Sequence, residues 1–210
     1  MRPENTMTIR QPIALYSSGH GSISHRTRQG GFNLIELLIA LLVMSVMVAA
    51  TVIEMHPVIQ QWRANTAMNQ IMSQLRWARE ASIAQRRNIQ IQFNGINQIT
   101  LIRQEVPAGQ TVLSSLALTG AMQFMLSPGM PDTPDRFGNA APIEFAGVAG
   151  GPPIMQFQSD GTFIDGNGNP INGTVFLGMR NFPAAERAIT VLGATGRVRT
   201  FRSTGQGWIR

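Results

Sequence analysis

The residues that could do chemistry fall into three groups. The first is the histidines. His20, His25 and His56 all precede Pro57, and the rest of the chain has none. A Ser/His/Asp arrangement therefore cannot be assembled beyond that point, because the general base is missing. The second group is the carboxylates. Asp165, Asn167 and Asn169 in "DGNGNP" have the alternate spacing with which a calcium loop begins. The sixth position, which needs glycine, is Pro170, and the twelfth, which needs glutamate, is Phe176. A plain turn is the better reading. Asp132 and Asp135 stand in a proline-rich stretch and read as solvated. There is no cysteine, which removes thiolate metal sites and disulfides. No catalytic constellation emerges, so the chain reads as a non-enzyme without a cofactor.

The third group is the arginines. All 17 basic residues are arginine, and six of them lie between Arg180 and Arg210 beside one acid, Glu186. In "TGRVRTFRSTGQGWIR", Arg197 and Arg199 are two apart. On a strand they share a face while Val198 points inward. Gly196 frees the turn before them. A one-sided arginine row with few acids suits phosphates, because the planar guanidinium matches their geometry, and Arg202 is counted with Gly196, Arg197 and Arg199 as a candidate contact. It equally suits a solvated edge strand kept charged against aggregation. Residue types alone leave the two open. Arg76, on a helix, is expected to add little to any phosphate contact.

These side chains need elements to hold them. Ala64, Ala67, Met68, Ile71, Met72, Leu75, Ala78 and Ser82 recur at helical spacing, so residues 58–87 read as an amphipathic helix with one buried stripe. Trp62, Trp77, Arg76, Glu80 and Arg87 lie off that stripe. From Asn88 the pattern switches to alternation. "NIQIQFNGINQITLIRQ" is a hairpin turning at Asn94-Gly95. Further strands are predicted over 120–126, 154–158, 174–179, 188–192, 197–202 and 208–210, with 127–153 as a Pro/Gly-rich loop. The fold class is α+β, a long N-terminal helix packed on an antiparallel β-rich domain over 88–210.

The N-terminal part has a different character. From Leu37 to Ile53 there are seventeen residues without a charge. As a helix they cover about 26 Å, and adding residues 32–36 brings the run to the ~30 Å of a bilayer core. Residues 32–57 thus read as a membrane-crossing helix half, with a kink expected near Pro57. Four arginines and one acid precede Phe32, so the positive-inside rule keeps residues 1–31 in the cytoplasm. The run is too long for an ordinary signal peptide, and no A-x-A cleavage pattern follows it. A plain anchor leaves Glu36 unexplained, since a lone acid in lipid costs roughly 2.5–3.5 kcal/mol. A cut between Gly31 and Phe32 would supply a partner, the new α-amino group of a neighbouring subunit. Paired buried charges are best attested as devices for setting register.

"GGFNLIELLIALLVMSVMVAA" resembles the class III signal of type IV pilins and pseudopilins, in Gly31, Phe32, Leu34, Ile35, Glu36 and Leu37. Asn33 stands where the family usually has threonine. The resemblance implies that prepilin peptidase cuts after Gly31 and methylates Phe32, and that Glu36 sets filament register. The leader is longer than most in the family, and Met7 is an alternative start. "FQSDGTFIDGNGNPINGTVFLGM", "RAITVLGATGRVRTFR" and "QLRWAREASIAQRRNIQIQF" are similar to the GspH/FimT pseudopilins. That resemblance implies a single-pass protein of the bacterial inner membrane with its C-terminal domain in the periplasm. Its partners would be other pilins or pseudopilins, met through the N-terminal helix. In the type IV pilus branch a Gly-Arg-x-Arg motif is associated with DNA uptake, and Gly196, Arg197 and Arg199 match it. Double-stranded DNA is the implied further partner. The alternative is a type II secretion pseudopilin with a purely structural, initiating role.

Overall fold

A computed structural model of the chain describes residues 33–210. The leader 1–31 and the predicted cut at Gly31–Phe32 lie outside the described residues. The helix α1 spans Leu34–Gln85, and Pro57 lies inside it, with the helix running on past the position where a kink is expected. The chain divides into two units after Val46.

In the first unit, the carbonyl of Asn33 accepts from the amides of Glu36 and Leu37, so Glu36 sits in the first helical turn. A carboxylate there meets the partial positive charge of the helix start. Leu34, Leu37, Leu38, Leu41 and Leu42 are all exposed, as is Glu36. Among the described residues no helix is long and apolar enough to cross a membrane.

The second unit, from Met47 to Arg210, contains the rest of α1 and all the strands. The predicted stripe is the buried one. Ala64, Ile71, Leu75, Ala78 and Ser82 are fully buried, Ala67 and Met68 nearly so, and Met72 is half-buried. Trp62 and Trp77, off the stripe, are exposed. The stripe meets the inner faces of two antiparallel sheets rather than one.

The first sheet has five strands. The hairpin forms as predicted from β1 (Ile89–Asn94) and β2 (Gln98–Gln104), with Ile91 opposite Leu101 and Phe93 opposite Ile99. β3 (Gln110–Ala117) is added at one edge, where no strand is predicted. It is mostly exposed, so it carries little of the alternation that reveals half-buried strands. β7 (Met155–Phe157) and β8 (Phe163–Asp165) complete the other side.

The second sheet has seven strands. At its centre β9 (Gly173–Gly178) pairs with β10 (Arg187–Leu192), and β10 with β11 (Arg197–Ser203). β12 (Trp208–Ile209) closes one edge, and β5 (Ile143–Phe145) with β6 (Val148–Ala149) closes the other. The two-residue β4 (Gln123–Phe124) also pairs β9. β5 and β6 correct the reading of 127–153 as loop alone. One core cluster joins Ile71 and Leu75 of the helix to Ile89, Leu101 and Phe157 of the first sheet and to Val175, Ile189 and Val191 of the second. A smaller cluster of Phe176, Ala188 and Phe201, flanked by Leu126 and Trp208, covers the outer face of the second sheet.

Candidate functional site

Strand periodicity decides where each C-terminal arginine goes. The β10–β11 register is regular, pairing Leu192 with Arg197, Thr190 with Arg199 and Arg187 with Arg202. Partners across a ladder lie on one face, and faces alternate along each strand. Arg197 and Arg199 therefore share a face with buried Phe201, while Val198 points to the main core, as predicted. Arg202 lies on the other face, that of Val198. Arg197 and Arg199 thus share one face of the strand, and Arg202 stands apart from them.

Arg202 is exposed, beside buried Arg187. Arg187 donates from Nε to Asn65 Oδ1 at 2.9 Å and from Nη1 to the carbonyl of Glu186 at 2.8 Å. Burial, with Arg202 alongside, pushes the Arg187 guanidinium below its ordinary pKa, although an arginine stays charged.

Arg199 is also occupied. Its Nη1 pairs with Asp135 Oδ1, and Asp135 Oδ2 accepts from the Thr190 hydroxyl at 2.6 Å. The Asp135 side chain is only 10% exposed. The Nε of Arg199 is buried without a hydrogen-bond partner. Asp135 is thus not a solvated loop acid, because it ties the 127–142 segment to the outer face of the second sheet. Asp132 is used as well, accepting from the amides of Thr133 at 2.6 Å and Gly138 at 3.0 Å. The calcium reading of Asp165 falls away in the same manner. Its carboxylate accepts from the amides of Asn167 and Asn169, both at 2.9 Å, and the Asn169 amide holds its carboxyl below the usual range. No group of acids and histidines among the described residues could hold a metal ion.

Arg197 differs from its neighbours in the motif, being exposed and opening onto a cleft of about 750 Å³. One wall is the helix, with Arg76, Arg79 and Glu80. The other is the start of β11 with the short 3-10 turn Gly193–Thr195 before it, and Arg210 lines the cleft too. Four arginines and one acidic residue, Glu80, thus line one cleft. Arg76, expected from the sequence to add little, stands in the same cleft as Arg197. Helical periodicity shows only that Arg76 lies off the buried stripe, not what it faces.

Two details hold the cleft in shape. Arg79 Nε lies 3.2 Å from the carbonyl oxygen of Gly161 and 3.1 Å from that of Thr195, and donates to both. It fastens the turn before β11 to the helix. Gly196 ends that turn in the left-handed region at φ +61°. A Cβ there would collide with the Gly161 carbonyl oxygen and with Cδ and Nε of Arg79. Glycine is thus demanded by both backbone and packing, and its role is to let the arginine clamp close.

No protein-family model matches the chain, and no curated protein matches it. Among solved structures, the chain is similar to the minor pseudopilin EpsH from the type 2 secretion system of Vibrio cholerae, with TM-score 0.45 and 11% identity over 67% of this chain and 97% of that one. It is similar to the type IV minor pilin FimU of Pseudomonas aeruginosa, with TM-score 0.45 and 14% identity over 70% of this chain and 92% of that one.

Proposed function

We propose that this chain is a minor pilin or pseudopilin, a subunit held in the bacterial inner membrane by residues 32–57 and assembled with other pilins through its N-terminal helix. The observation that carries the reading is the signal itself, Gly31-Phe32 followed by Leu34, Ile35, Glu36 and a charge-free apolar run. The helix supports it from the other end, since α1 continues into the domain and supplies its core stripe. Mass spectrometry of membrane-extracted protein should find an N-terminus at methylated Phe32. Replacing Gly31 by a bulky residue should leave the precursor uncut. An intact Met1 or Met7 N-terminus in cells with active prepilin peptidase would remove the reading.

Glu36 is assigned to register. Its carboxylate would pair with the amino terminus of a neighbouring subunit, which offsets the cost of placing an acid in lipid. Glu36→Ala should then permit insertion and cutting while sharply reducing incorporation into filaments. Undiminished incorporation, measured in sheared filament fractions, would show that the acid has no such role.

DNA binding is the added activity, supported by the exposure of Arg197 in a cleft with Arg76, Arg79 and Arg210. A purely structural role in type II secretion is the second reading. It is favoured by the engagement of Arg199 with Asp135 and by the position of Arg202 on the face opposite Arg197.

A further inference from the structure

The cleft assigns phosphate-contacting roles that the linear motif does not. We propose that the phosphodiester backbone of DNA is held between helix and strand, by Arg76 from α1 and Arg197 from β11 across the cleft. Arg79 positions the turn, and Arg199 lies outside the contact set. The proposal rests on the DNA-binding reading and names where and by what that binding occurs.

The reasons are charge and occupancy. Arg76 and Arg197 are both exposed, and neither has a salt-bridge partner among the described residues. Arg199 has already given its charge to a carboxylate that is nearly buried. Moving it to a phosphate would strand Asp135 without its cation, and an uncompensated buried charge is strongly unfavourable. Arg79 spends its Nε on two carbonyl oxygens, so its main effect is on the placement of Gly196 and Arg197. Glu80 is the one acid in the cleft. It sits one helical turn from Arg76 and opposes any phosphate that enters. Contacts of this kind are to backbone only, so no base sequence is preferred.

The test is a binding titration of the full chain in neutral detergent against a short random-sequence DNA duplex over a range of salt. Each phosphate neutralised contributes about −0.9 to the slope of log affinity against log salt. Arg76→Gln and Arg197→Gln should each flatten the slope by about 0.9, weakening binding about eightfold at 0.1 M salt. Glu80→Gln should tighten binding, a gain that a merely structural residue would not produce. Arg180→Gln, an equal loss of charge outside the cleft, and Arg199→Gln should leave the slope unchanged, with thermal melting verifying that each variant is folded. Arg79→Gln should weaken binding chiefly by loosening the turn, and Arg79→Lys should restore it only in part. If the parent binds DNA but Arg76→Gln keeps the parental slope, or Arg180→Gln flattens it equally, the cleft assignment is overturned and the DNA reading survives. If the parent binds no DNA even at low salt, both fall. Competition separates the sources of phosphate. Displacement of DNA by inorganic phosphate, or by glycerophosphoglycerol as a free lipid headgroup, at equal phosphate concentration would overturn the proposal in favour of those ligands.

Discussion

Gly196→Val should disrupt the turn before β11 and its pairing with β10, and with them the proposed phosphate contacts. The native φ of +61° costs a β-branched residue about 1–3 kcal/mol on backbone grounds alone. The added Cβ cannot be accommodated by a small shift, because one of the atoms it meets is a backbone carbonyl oxygen, that of Gly161. The turn must open, and the Arg79 contacts to Gly161 and Thr195 must break with it. A loss of at least about 3 kcal/mol is expected in urea denaturation, from the backbone cost plus the lost packing. Gly196→Ala should follow the same direction with a smaller loss. A valine variant as stable as the parent would mean that the turn does not depend on glycine, and the clamp would lose its structural meaning.

Leu75→Ala is the second large effect. Leu75 is fully buried, on a helix stripe that meets both sheets through one cluster. Truncation leaves a cavity walled by two sheets that cannot both collapse onto it, and such changes cost about 2–5 kcal/mol. The measurement is best made on residues 58–210, since the core cluster contains no residue before Ala64 and that fragment should fold alone. Trp77→Ala, a larger deletion at a nearby exposed site on the same helix, should cost far less. Equal losses for the two would contradict the placement of the stripe.

What was legible in the chain follows from how local each cause is. The helix stripe was readable because its period is set within a few residues, and the first hairpin because alternation and Asn94-Gly95 turn chemistry agree. β3 was not, since an exposed edge strand needs no apolar alternation. β5 and β6 are three and two residues long in a Pro/Gly-rich stretch, too short for any period to show. The Arg199–Asp135 pair joins positions 64 apart, which no local pattern encodes. The placement of Arg202 follows from strand period alone. Counting by twos from Arg197 reaches Arg199 and leaves Arg202 on the Val198 face. The shared cleft of Arg76 and Arg197 joins a helix to a strand far along the chain, which no local pattern encodes.

The two contacts of Arg79 join residues 82 and 116 positions away in the chain. A binding surface built across such distances does not exist in an unfolded chain, whose arginines are scattered through a large volume. Ligand captured there selects the native state, and mass action converts occupancy into resistance to unfolding, about 2.7 kcal/mol at a hundredfold excess over the dissociation constant. A subunit loaded with polyanion would therefore withstand heat and pulling better than an empty one. Under the proposed DNA binding, the cleft arginines would serve as a cross-link closed only while the polyanion is present.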